Sequence, residues 1–384
     1  MTNHGRPLSL LHFVNLRSAN VGNGALTMGA EAVLAEDLSH PVAWTREPWD
    51  DYSFGLKSFD QAFVDKINAS DGMIVCGAVA FNGRSYYANA GMRFDLPADL
   101  WGKIQRPLVF YGLSYRHWPG ELYHHAGKLR DALRRILDSK SMLLALRNDG
   151  TREWLAEQIG AESREFDVIP DPAVFVPVAP AGNYHEIDDT RPNVILALND
   201  EDASRRYGSS SAREQMLRAI ATSVEKLIIK WDANVILAPH YFDDCRIVAD
   251  FIDLCRPQLA HRYMTLSGLA GIRGTAHFYG RYKRADLVIS MRVHSMSPCV
   301  GLGIPMIPLV TQQRMKDFLA DIGIDDMAVD ALEGDLAERL SASIDKVMTD
   351  GEQVHGRLLA ARERMRERSR AFNRRVDSLF ERGH

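Results

Sequence analysis

The chain has 384 residues, 46% hydrophobic and 25% charged, which supplies a sizeable core and at this length predicts two domains. A net charge of -4 removes any global electrostatic case for a nucleic-acid partner, so anion recognition falls to a local cluster. Cys76, Cys245, Cys255 and Cys299 are scattered without a CxxC pair, which argues against a disulfide framework or a zinc site.

The opening "MTNHGRPLSLLHFVNL" has too short an apolar run for a signal peptide, and no later stretch approaches the roughly 20 apolar residues of a membrane helix. A cytoplasmic protein is expected, with the inner face of the membrane as an allowed address. "LSLLHFVNL" reads as a buried strand and Gly22 to Leu38 as the following helix. Between them "NLRSANVGNGAL" offers Asn20, Gly22 and Asn23 as loop candidates for ligand contact, because open α/β sheets bind at the carboxyl ends of their strands. The loop has neither a full GxGxxG nor a P-loop; a structural tight turn is the competing reading.

"GMIVCGAVAF" and "PLVFYGLSY" predict further strands, "GELYHHAGKLRDALRRILDS" a helix, and "SMLLALR" a strand leading to the helix "DGTREWLAEQI". Arg147 closes that strand, and Asn148 or Asp149 is placed to cap the helix. Strands alternating with helices predict βαβ crossovers and a parallel sheet. Residues 176–192, "VPVAPAGNYHEIDDTRP", lack apolar period and predict a linker. Alternation then restarts with strands "NVILAL" and "NVILAP", helices over 211–230 and "CRIVADFIDLC", strand "ADLVISM", a small-residue helix, strand "IPMIPLV" and helix "MKDFLADI".

The predicted organisation is an N-terminal Rossmann-like domain over 1–175, the linker 176–192, a C-terminal Rossmann-like domain over 193–350 and a basic helix over 351–384. In that tail Leu358, Leu359, Met365, Phe372, Val376 and Leu379 form a packing stripe; peripheral contact with anionic lipid is the second reading.

The block "ISMRVHSMSPCVGLGIPMIPLV" holds the strongest site signal. Arg292 and His294 fall at the carboxyl end of a buried strand, where alternation points them to one side. Ser295 is placed to cap the next helix, and Arg314 and Lys316 follow the next strand. Arginine suits bidentate phosphate or carboxylate contacts and histidine proton transfer near neutral pH. His240 in "APHYFDD" also follows a strand; a cleft role and a loop histidine satisfied by Asp243 or Asp244 are both open. No metal site is predicted, since His117, His124 and His125 lack ligand spacing.

"ANVGNGAL", "LALRNDGTREWL" and "ADLVISMRVHSMSPCVGLGIPMIPL" with "QRMKDFLADIG" together resemble the polysaccharide pyruvyl transferase family, from about Asn15 to Gly323. The R-x-H-S block is the specific part. The resemblance implies a GT-B-like pair of Rossmann-like domains facing a cleft. It also implies transfer of pyruvate from phosphoenolpyruvate, as co-substrate and with no cofactor, to a sugar of an exopolysaccharide or other exported glycan, commonly as a ketal. The acceptor is expected on the N-terminal domain and phosphoenolpyruvate on the C-terminal one, with a lipid-linked saccharide among the acceptor partners.

Arg292 and His294 match the family's R-x-H motif, Arg147 matches the mid-chain arginine, and Arg314 stands where relatives carry lysine. The implied roles are His294 as acid, with Arg292, Arg147, Arg314, Lys316 and Ser295 binding phosphoenolpyruvate. "CGAVAFNG" lacks the family's glycine triplet. The alternatives on the same fold are a sugar-nucleotide glycosyltransferase and a non-catalytic glycan-binding protein.

Overall fold

The computed structural model describes residues 6–77, 79–180 and 182–383. The first residues of the opening stretch, Ala78 in the predicted strand 72–81, Ala181 in the predicted linker and the last residue of the predicted tail lie outside the described residues. The chain divides into two compact units: residues up to Ser18, Leu26–Phe175 and those from Arg364 on form one, and Ala19–Ala25 with Val176–Glu363 form the other.

The first unit runs β1 (Leu8–Val14), α1 (Val21–Asp37), β2 (Val42–Pro48), α2 (Trp49–Ser53), α3 (Gln61–Asn68), β3 (Gly72–Cys76), β4 (Val79–Phe81), β5 (Leu108–Tyr115), α4 (Ala126–Asp138), β6 (Met142–Arg147), α5 (Thr151–Ile159) and β7 (Asp167–Ile169). Its strands are parallel in the order β2-β1-β3-β5-β6-β7, and β4 pairs with the end of β5. β3 and β5 are buried along their whole length, which is why they read as unbroken apolar runs.

The predicted single strand 72–81 is two strands. Gly77 turns between them at φ +65, where a Cβ would stand 2.7 Å from the Leu26 side chain. Asn148 and Asp149 do not cap α5, whose N-cap is Gly150. Instead the Asn148 side chain accepts from the Asp171 N–H, and Asp149 accepts from Ser114 and Thr151.

The second unit runs β8 (Asn193–Ala197), α6 (Ala203–Tyr207), α7 (Ser210–Trp231), β9 (Asn234–Leu237), α8 (Phe242–Leu254), α9 (Pro257–Tyr263), β10 (Met264–Leu266), α10 (Thr275–Gly280), β11 (Leu287–Ser290), α11 (Val293–Leu302), β12 (Met306–Val310), α12 (Gln313–Ile322), β13 (Val329–Asp330) and the start of α13 (Leu336–Gly383), whose residues from Arg364 on belong to the first unit. Its parallel sheet has the order β10-β9-β8-β11-β12-β13, so the winding direction reverses between β8 and β11. In open α/β sheets the crevice at such a reversal is where ligands sit.

Residues 176–192 pack on this unit: the Ala179 N–H donates to the Ala276 carbonyl, Tyr184 is buried against Gly280, and Glu186 pairs with Arg281. The tail belongs to a longer helix than the composition suggested, with a kink at Asp350. Within the first unit, Phe372, Val376, Leu379 and Phe380 join the core beneath β1, β3 and β5. Arg366 is ion-paired with Glu36 and Asp37, and Arg375 with Asp167. The apolar stripe that a lipid surface would take is therefore spent inside the protein.

Candidate active site

Three segments of the second unit meet at the reversal between β8 and β11. β11 ends at Ser290, so Arg292 is the N-cap of α11 and His294 lies in its first turn; strand alternation, which the sequence suggested, does not set their directions. Arginine is a poor N-cap, since it offers no acceptor to the free N–H groups and brings positive charge to the positive end of the helix dipole. Among the described residues, neither Arg292 nor Gln312, the N-cap of α12 after the neighbouring strand, makes a side-chain cap hydrogen bond. Two helix N-termini thus open at the same sheet edge beside cationic side chains, a combination suited to an anion.

Arg292 is 7% exposed and is held by Asp244, Nη2 to Oδ1 at 2.5 Å, with Glu201 at 3.6 Å from Nη1. Burial pulls its pKa down, but the two carboxylates outweigh that and leave it above the ordinary guanidinium value. The same Asp244 accepts the backbone N–H groups of His240 and Tyr241 through Oδ2. It therefore ties Arg292 to the turn that starts α8.

Arg206, on the short helix after β8, is buried and donates Nη1 to Thr311 Oγ1 at 2.6 Å and Nε to the Glu201 carbonyl at 3.0 Å. Burial lowers its pKa to about 10, and the positive charges of Arg292 and Arg314 add to the effect. Burial is the main cause of that lowering, and the smaller contribution of Arg292 and Arg314 shows that both guanidiniums lie within electrostatic reach of Arg206. Arg314, half-buried in the first turn of α12, lies within electrostatic reach of Arg206. Lys316 is exposed and directed to Asp330, Nζ to Oδ2 at 2.8 Å. Two turns of sequence after β12 thus yield one guanidinium for the edge and one ordinary surface ion pair.

His294 is half-buried, and its carbonyl accepts from the Tyr279 hydroxyl at 2.6 Å. The loop Asn20–Gly24 lies against it. A Cβ at Gly22 would stand 2.5 Å from His294 Nδ1, so the glycine lets the backbone touch the imidazole. Asn20 shapes this turn by accepting the Gly22 N–H through Oδ1, and the Val21 N–H donates to the His240 carbonyl. Asn23, half-buried, closes the turn through its N–H to the Asn20 carbonyl.

His240 is fully buried. Burial, and then the charge of Arg292, lower its pKa to about 3, so it stays neutral. Its Nδ1 meets the Ala238 carbonyl at 3.0 Å, which only accepts, so Nδ1 carries the proton and Nε2 accepts from the Tyr282 hydroxyl at 3.3 Å. Tyr282 in turn accepts from Ser295 Oγ at 3.0 Å. Ser295 therefore does not cap α11. It is the helix's third residue, buried, and its hydroxyl is committed to this relay behind the site. His240 is a framework residue of that relay rather than one facing a cleft.

Arg147 belongs to the first unit. It is 2% exposed, with Nε donating to the Gly112 carbonyl at 3.3 Å and Nη1 3.7 Å from Asp171. Sequence reasoning missed Arg206, and it named Asp244 only as a partner of His240, whose N–H it accepts, not as the partner of Arg292. "SRRYG" carries no apolar period, and only its position just after a buried strand could have pointed to it. Among the described residues, no group of three or more His, Cys, Asp or Glu could hold a metal ion, and no helix is long and apolar enough to cross a membrane.

Two parallel α/β units, one with a cationic edge at its switch point, define a GT-B-like fold. The family model for polysaccharide pyruvyl transferase matches residues 20–313, and the chain belongs to that family. Among solved structures it is similar to UDP-GlcNAc 2-epimerase from Neisseria meningitidis bound to UDP-GlcNAc, with 13% identity and a TM-score of 0.51, covering 91% of this chain and 94% of that one. The UDP-GlcNAc 2-epimerase from Methanocaldococcus jannaschii gives 12% identity, a TM-score of 0.51 and coverage of 89% and 93%. The spinosyn rhamnosyltransferase SpnG gives 12% identity, a TM-score of 0.50 and coverage of 97% and 99%. At these identities the likeness is one of fold. No curated protein matches the sequence significantly.

Proposed function

We propose that this protein transfers the pyruvyl group of phosphoenolpyruvate to a sugar of an exported or cell-surface glycan precursor and closes it as a cyclic ketal on two hydroxyls. The observation that carries this reading is the placing of Arg292 and His294 together at the start of α11, with Arg206 within electrostatic reach of Arg292 and Arg314. Phosphoenolpyruvate presents a phosphate and a carboxylate, and the three guanidiniums with the positive ends of the α11 and α12 dipoles suit that pair of anions.

A first sugar hydroxyl adds at the enol carbon while His294 delivers a proton to the methylene, which becomes the methyl group; the hydroxyl proton returns to the imidazole. A second hydroxyl then displaces phosphate at the same carbon through an oxocarbenium-like state. Its proton leaves with the phosphate, and the guanidiniums stabilise the departing charge. The scheme asks for no metal ion. In this reading the acceptor is a lipid-linked or nucleotide-linked sugar handled on the cytoplasmic side of the membrane.

Incubation with phosphoenolpyruvate and a glycan acceptor tests it. Release of inorganic phosphate with a gain of pyruvate mass on the sugar is expected, and consumption of a nucleotide sugar in place of phosphoenolpyruvate would overturn it.

A further inference from the structure

The first unit carries a cavity of about 560 Å³ at the carboxyl edge of its sheet, formed where the chain leaves β2 and where it leaves β4. Its size falls in the range of small-molecule sites, roughly 300 to 1,000 Å³. One wall is the turn through Tyr52 and Phe59, and the other is the loop carrying Tyr86, Tyr87, Arg93 and Asp95.

That loop is preorganised. Asp95 Oδ1 accepts the N–H groups of Asn89 and Ala90 at 2.9 and 2.7 Å, the Arg93 N–H donates to the Ala80 carbonyl, and the Tyr123 hydroxyl donates to the Gly91 carbonyl at 2.6 Å. Tyr86 is 80% exposed and makes a single ring contact, with His125 at 5.0 Å and nearly perpendicular, so a broad aromatic surface stays open.

Arg93 packs its guanidinium over Trp49 and donates Nε to Ser53 Oγ at 2.7 Å. Among the described residues neither Nη has a hydrogen-bond acceptor; Asp50 stands 3.8 Å away. Charge in the cavity is balanced, since Lys57 pairs with Glu47 and Asp51, and Arg93 faces Asp50. Balanced charge disfavours an ionic ligand. Open tyrosine faces with a planar donor pair and a carboxylate beside them suit the C–H faces and vicinal hydroxyls of a neutral pyranose.

We infer that this cavity binds a neutral hexose unit of the acceptor glycan, an inference that rests on the saccharide-acceptor reading above. The Arg93 Nη donors and the Asp95 carboxylate take its hydroxyls, and Tyr86 covers its ring.

Saturation-transfer NMR on the intact protein with methyl β-D-glucopyranoside and methyl β-D-galactopyranoside tests it without phosphoenolpyruvate. Saturation of the ring protons of at least one glycoside is expected, falling about fivefold in Tyr86→Ala, whose exposed position leaves folding intact, and further in Arg93→Gln. No transfer to either glycoside, or equal transfer in the wild type and both variants, would overturn the site. Glycoside binding in a protein that releases no phosphate from phosphoenolpyruvate would sink the transfer reaction and leave this site standing. Normal pyruvyl transfer with unchanged acceptor KM in Tyr86→Ala would do the reverse.

Discussion

At the carboxyl edge of each sheet stands a buried arginine, and the two have been given different company. Arg147 closes β6 against Asp171 and the Gly112 carbonyl. Arg292 follows β11 with Asp244 and Glu201 close by, yet the charges of Arg292 and Arg314 still depress Arg206. A single buried charge met by an acid serves the fold. Like charges gathered out of water raise the energy of the empty protein, and an anion relieves it. Position at a strand end is therefore not enough to make an arginine functional; the further guanidiniums within electrostatic reach of it are the difference.

The contrast can be broken most severely at the second edge. His294→Ala should lower pyruvyl transfer by about a thousandfold, the scale of a lost general acid, with little change in unfolding midpoint. Arg292→Lys should cost roughly a hundredfold, because an ammonium cannot hold Asp244 and a bidentate anion together. Steady-state turnover with phosphoenolpyruvate measures both, and near-normal rates in either variant would remove that residue from the chemistry.

At the first edge the expected loss is of another kind. Arg147→Met should destabilise the protein by about 3 kcal/mol, the cost of stranding a buried partner, and leave the KM for phosphoenolpyruvate within about twofold. Denaturant unfolding reads the first quantity and kinetics the second. A large KM change in a well-folded variant would erase the distinction drawn between the two arginines.

Gly22→Ala is a smaller perturbation, pressing a methyl group onto His294 Nδ1. About a tenfold drop in kcat is expected, the rate cost of displacing a reacting group by a fraction of an ångström, with folding retained.

The mildest effect concerns pH. His240 has its pKa at about 3 in the folded chain and 6.5 when unfolded. Between those values the unfolded chain binds a proton that the native one does not, so stability is lost as pH falls through that window, by up to about 1.4 kcal/mol per unit. Urea midpoints at several pH values should show a flatter acid limb in His240→Gln. Identical slopes in the two proteins would mean that the imidazole is not held neutral.

Much of this was legible in the sequence. The central strands and the helices between them are announced by apolar runs and period, and Arg292, His294 and Arg314 are placed by the strands that precede them. What escaped reading depends on distant partners. β2 alternates polar and apolar residues at the edge of its sheet, and β10 and β13 have only 3 and 2 residues. Ser295 looked like a cap because serine caps helices; only the fold brings Tyr282 to its hydroxyl. Lys316 and Arg314 are two residues apart, and the presence of Asp330 separates their fates.

The long helix α13 has a consequence for how the protein is made. Phe372, Val376, Leu379 and Phe380 complete the core under β1 and β3, strands translated more than 290 residues earlier. Domains generally fold in the order of synthesis, but here the first sheet to leave the ribosome waits with an unfinished apolar face until residues 372–380 have emerged. Chains truncated before that point should accumulate as aggregates even though every strand of the first unit is present.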